Sequence, residues 1–261
     1  MIRFMPIVCA LLCGAAALAA SPLGSPPQDT SGVALPVEAV ETRCPVPEAL
    51  ALRDLSLPNV QAAVAKARKL VVLTLGGSGT EGRIAGTADA TYPARLQTGL
   101  LAALPGVAVQ VVNLGGVGHG AAQVLLDLPE AVHTTSANLV IWASGATDAA
   151  RGTDVDGYIA TLQTGIEEIH RAGADVILMD LPYAPSIARI LNTTPYRDAV
   201  YGTALSNSVP VLRRYDLMQQ WNDDHVMNVD STDPLERRAV AQHLFKCIAA
   251  ILTPAIAEAA R

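Results

Sequence analysis

At 261 residues, the chain is long enough for one catalytic domain with a large buried core. Its net charge of −6, more negative still once Arg3 is removed, comes with no Lys/Arg cluster; nucleic acid is excluded as a partner. Aromatic residues make up only 4% while Ala, Val, Leu and Ile abound, which favours alternating strands and Ala-rich helices over an all-β sandwich.

In chain order, residues 1–19 hold one basic residue (Arg3), an apolar run and Ala17-Leu18-Ala19, the layout of a signal peptide with an A-x-A cleavage site. The run is too short to span a bilayer and no later uninterrupted run exceeds it, so no membrane span is expected after signal removal. The protein is therefore expected to be periplasmic or secreted. Residues 20–43 carry Pro22, Pro26, Pro27 and Pro36 among Ser and Gly and read as a flexible leader. The domain is expected over 44–261. The mature chain keeps two cysteines, Cys44 just before the domain and Cys247 in its last helix; in a disulfide-permissive compartment they are expected to pair.

Five short apolar runs bounded by Gly, Pro or Asp, at 70–75, 107–112, 139–143, 176–179 and 209–212, predict doubly covered parallel strands. Between them, residues 154–172 place Ile159, Leu162, Ile166 and Ile169 at helical spacing, and the last helix does the same with Val240, Leu244, Cys247, Ile248 and Ile251. Strand-helix alternation with right-handed crossovers predicts an α/β fold, a three-layer α/β/α sandwich on a five-stranded parallel sheet of the flavodoxin-like kind. Ligands of such a sheet bind outside the carboxyl ends of its strands.

Three loops converge there. Gly76-Gly77-Ser78-Gly79 follows the first strand and offers a serine hydroxyl on a backbone that a substrate can approach closely. Residues 113–120, NLGGVGHG, follow the second, with glycine N–H groups able to face an oxyanion. Gly145-Ala146-Thr147-Asp148 follows the third. Gly77, Gly79 and Gly82 also spell the G-x-G-x-x-G of dinucleotide sites, but Asn113 stands where an acidic residue is required. A P-loop would need Lys where Arg83 stands, and an α/β-hydrolase elbow would need Gly in place of Thr80.

The segments VVLTLGGSGTEG (71–82), VVNLGGVGHG (111–120) and LVIWASGATDA (139–149) resemble, in order and spacing, the first three blocks of the SGNH/GDSL hydrolase family. The resemblance implies Ser78 as nucleophile and first oxyanion donor, Gly118 as second donor and Thr147 at the position of the family's asparagine amide. Gly77 takes the place of the name-giving Asp. No D-x-x-H spacing precedes the last helix; His225, with Asn222 at the orienting position, is the expected base, while a competing alignment sets Asp230 and Asp233 on that block and leaves no ordinary base. His119 could line the pocket. No cofactor is implied, and dispersed histidines argue against a metal.

The function expected is ester hydrolysis or acyl transfer through an acyl-enzyme on Ser78, with a small-molecule, lipid or carbohydrate ester as substrate. The alternative is a non-catalytic binding module of the same fold, and a dinucleotide oxidoreductase ranks third.

Overall fold

The computed structural model describes residues 44–261, so the signal peptide and leader expected over 1–43 lie outside the described residues. Five parallel strands, β1 (Lys69–Leu75), β2 (Ala108–Asn113), β3 (Leu139–Ala143), β4 (Asp175–Met179) and β5 (Val211–Leu212), form one sheet in the order β2-β1-β3-β4-β5. That order reverses between β1 and β3, which sets the crevice outside their carboxyl ends. The fold is the α/β architecture on a five-stranded parallel sheet expected from the strand pattern.

Because strand side chains alternate faces, β1 feeds two cores. Leu70 and Val72 join a cluster with α1 (Pro58–Ala67), α3 (Tyr92–Ala103) and α10 (Pro234–Ala259); Val71, Leu73 and Leu75 join another with α4 (Ala121–Thr135), α6 (Val155–Arg171) and α8 (Thr194–Ser206). β3 and β4 are buried throughout. Two expectations shift. β2 is an edge strand with Ala108 and Gln110 exposed rather than doubly covered, and β5 shortens because Pro210, which has no N–H to give the ladder, contributes only its carbonyl to Leu178. α6 opens where its cap dictates: the Asp154 carboxylate accepts from the Gly157 N–H at 2.9 Å.

Cys44 and Cys247 form a disulfide, Cα–Cα 5.3 Å, across a sequence separation of 203. His243 stands beside it, but sulfurs committed to each other cannot serve as thiolate ligands. α10 is the one described helix long and apolar enough to cross a membrane, and half of its most apolar window is buried inside the fold.

Candidate active site

Loop 1 leaves β1 through Gly76, at φ +141, where a Cβ would stand 2.5 Å from the Ala143 carbonyl at the end of β3; only glycine fits so close a backbone passage. Ser78 then opens the short helix α2 (Ser78–Glu81) and is exposed, while Thr80 turns inward. Loop 2 is bolted to loop 1. The Asn113 amide donates to the Thr80 carbonyl at 2.9 Å, the Gly116 N–H donates to the Gly76 carbonyl at 2.9 Å, and a Cβ on Gly115 would fall 2.3 Å from the Glu81 nitrogen. Loop 3 carries Thr147 on α5 (Ala146–Arg151); its Oγ1 lies 3.2 Å from where a Gly77 Cβ would sit. A side chain at position 77 would press on Thr147. Asp148 is buried, accepts from the Ala121 N–H at 3.1 Å and so pins loop 3 to the start of α4. Burial raises the affinity of its carboxyl for a proton.

These loops enclose a cavity of about 370 Å³ with Ser78, His119, Thr147, Asp148, Pro182 and Arg214 in its wall. Ser78 and Thr147 are thus brought together. Gly118, in left-handed geometry at φ +75, lies between two wall residues, Val117 and His119. As first-turn groups, the N–H of Ser78 and its neighbour Gly79 precede any intrahelical acceptor. Ile84 and Val117 give the rim exposed apolar surface.

His225, the expected base, is not brought to the cavity. The sequence 214–223 forms a helix, α9 (Arg214–Asp223), whose ten residues carry the chain about 15 Å beyond Arg214. There the chain turns through a left-handed His225 (φ +57), whose N–H returns to the Asn222 carbonyl, leaving its side chain exposed. His119 is the histidine that lines the cavity. The competing block is also occupied: Asp230 accepts from the N–H of Ser186 at 2.8 Å and from its hydroxyl, and Asp233 caps α10 through the N–H groups of Leu235 and Glu236. Of the aromatic residues after β4, Tyr196 donates to the Thr153 carbonyl at 2.6 Å and Tyr201 to the Asp180 carboxylate at 2.5 Å. Both are structural; Pro182 alone of that stretch reaches the cavity.

Arg214 is the wall residue that sequence reasoning missed. Its position directly after the fifth strand was the available signal. It is 5% exposed, and its Nη2 donates to the Asp180 main-chain carbonyl at 2.6 Å. Burial pulls its pKa below the usual range, yet a guanidinium stays charged in any protein environment. Asp180 beneath it is fully buried; burial lifts its carboxyl to about 6, against the bonds from Tyr201 and the Tyr215 N–H and the nearby Arg214 charge. Because the native state keeps this proton where the unfolded chain, near 3.8, has released it, the site's contribution to stability is greatest below that value. It declines as pH rises through about 6. Asp180→Asn is expected to flatten the melting temperature profile between about pH 4 and pH 6; a slope identical to that of the parent protein rules this out.

Residues 43–261 match the non-GDSL lipase-like family. The chain belongs to that family of SGNH/GDSL-type hydrolases. Its solved neighbours include a variant of Axe2, an acetyl-xylooligosaccharide esterase from Geobacillus stearothermophilus (21% identity, TM-score 0.55, covering 70% of this chain and 93% of that one). They also include TesA (21% identity, TM-score 0.56, covering 70% and 98%). A third is LAE5, an alpha/beta hydrolase enzyme from the metagenome of Lake Arreo in Spain (17% identity, TM-score 0.56, covering 74% and 96%). At these identities the likeness is one of fold. No curated protein sequence matches the chain significantly. Within this non-GDSL lipase-like hydrolase, Gly77 is the departure from the GDSL signature, and a Cβ there would lie in tight contact with the Thr147 hydroxyl.

Proposed function

We propose that this hydrolase cleaves an ester, or transfers its acyl group, through an acyl-enzyme on Ser78, and that it works outside the cytoplasm. The observation that carries the reading is an exposed serine at the carboxyl end of β1 sharing one cavity with a histidine and with Thr147. In this scheme Ser78 Oγ attacks the acyl carbon while His119 takes its proton. The N–H groups of Ser78 and Gly118, with the Thr147 hydroxyl, hold the oxyanion, and collapse expels the alcohol, which recovers the proton from His119. Water or an acceptor alcohol then removes the acyl group by the reverse sequence. His119 replaces His225 as base because only the former lines the cavity. An O-acyl group on an envelope carbohydrate or a lipid ester suits the compartment expected from the signal sequence. That Axe2 is an acetyl-xylooligosaccharide esterase and shares the fold favours the carbohydrate.

A second reading, a binding module without turnover, draws on the capture of Asp230 by Ser186 and of Asp233 by α10. A fluorophosphonate probe read by mass spectrometry separates the two. Labelling confined to Ser78, slowed in His119→Ala and unaffected in His225→Ala, is expected. Labelling slowed only in His225→Ala returns the base to His225, and no labelling at all favours the binding module.

A further inference from the structure

Three arginines surround the start of α9, and they are treated differently. Arg197 and Arg213 both pair with the Asp216 carboxylate, at 2.6 Å each. Arg214 pairs with none: among the described residues no carboxylate lies within ion-pairing distance of it. Among the described residues its one hydrogen bond goes to a main-chain carbonyl, and its buried Nε has no acceptor. Asp180, the acid whose charge acts on Arg214, spends its oxygens on Tyr201 and on the Tyr215 N–H. Its carboxylate is close enough for its charge to act on Arg214 but does not bond it, and buried guanidinium donors left unmet are costly, so an oxyanion that met them would be held strongly.

The remaining guanidinium nitrogen shows where that partner belongs. Among the described residues Nη1 has no hydrogen-bond partner; it lies 3.5 Å from the position of a Gly79 Cβ, one residue beyond Ser78, in the wall of the cavity. Gly79 thereby leaves open the space between the guanidinium and loop 1. The two acids that border the cavity are already engaged, Glu81 by Arg83 at 2.7 Å and Asp148 by the Ala121 N–H. We propose that Arg214 makes this cavity a subsite for an anionic group, a carboxylate or phosphate carried by the substrate close to the bond cleaved at Ser78. A planar fork of N–H donors suits such oxyanions. The inference rests on the reading of the cavity as the substrate site, and its test needs no turnover.

The test uses ligands that cannot be hydrolysed as esters. Calorimetric titration of the wild-type chain with butyrate and with butyramide, which match in shape and differ in charge, is expected to show butyrate binding about tenfold tighter. Methylphosphonate forms the second arm: tighter binding than butyrate assigns the subsite to phosphate, and weaker binding to carboxylate. In Arg214→Gln the preference for the anion is expected to vanish, in Arg214→Lys to persist in part, and in Arg83→Gln to remain. Equal binding of butyrate and butyramide with no binding of methylphosphonate overturns the proposal. So does a preference that survives Arg214→Gln, or one lost in Arg83→Gln. If Arg214→Gln does not fold, the wild-type comparison with the Lys and Arg83 variants still decides. A protein that binds butyrate in this way but leaves Ser78 unlabelled by fluorophosphonate keeps the subsite and loses only the esterase.

Discussion

Ser78→Ala is expected to lower turnover of an ester substrate by about 10⁴-fold or more, with little change in melting temperature. The size follows from the proposed role, in which the Oγ forms and breaks the bond to the acyl group; no other hydroxyl in the cavity wall combines exposure with the end of β1. The Thr147 hydroxyl lies in loop 3. The unchanged stability follows from exposure, since Ser78 contributes its carbonyl to the α2 turn through Gly82 while its side chain stays outside the core. The loss should fall on kcat rather than on KM, because the alanine variant keeps the Ser78 N–H and the whole cavity wall. Thr147→Val removes one donor of the proposed oxyanion hole and is expected to cost less, about 100-fold. Steady-state kinetics on a chromogenic acetyl ester reads both. A Ser78→Ala protein within tenfold of the parent would sink the acyl-enzyme route.

How much of this was legible beforehand depended on how each segment solves its own burial problem. β3 was read at its observed bounds and β4 to within one residue, because a strand covered on both faces is a continuous apolar run between polar breaks. The convergence of Ser78 and Thr147 followed from topology, since loops after adjacent parallel strands share an edge. α9 was not legible. Its ten residues include Arg214, Asp216, Gln219, Gln220, Asn222 and Asp223, so its periodic burial of Leu217, Met218 and Trp221 was masked by polar neighbours. That helix carries His225 away from the cavity wall, a displacement that the polar stretch does not announce. Arg214 was hidden for a related reason: an arginine in RRYD reads as a solvated charge, and only the fold reveals that it points inward beneath loop 1. The lock between loops 1 and 2 was half visible. The glycines advertised close approach, but that Gly115 meets the Glu81 nitrogen is a fact of three dimensions.

The disulfide carries the largest expected effect on stability. Cys44 and Cys247 close a loop across 203 residues, and in the chain-entropy account a cross-link over so long a stretch stabilises the fold by about 5 kcal/mol. That is comparable with the whole stability of a marginal domain. Part of the constraint survives without it, because the Trp221 indole N–H donates to the Pro45 carbonyl at 2.7 Å and holds the same segment against α9. Cys247 is also fully buried on α10, so the Cys44 side is the cleaner place to cut. Cys44→Ser, or reduction of the native protein, is expected to lower the melting temperature by about 10 °C or more. Neither cysteine lies in the cavity wall, so labelling of Ser78 at 25 °C should persist while the variant remains folded. A melting temperature unmoved by reduction would mean that the hydrogen bond and the apolar packing of the segment already supply the constraint.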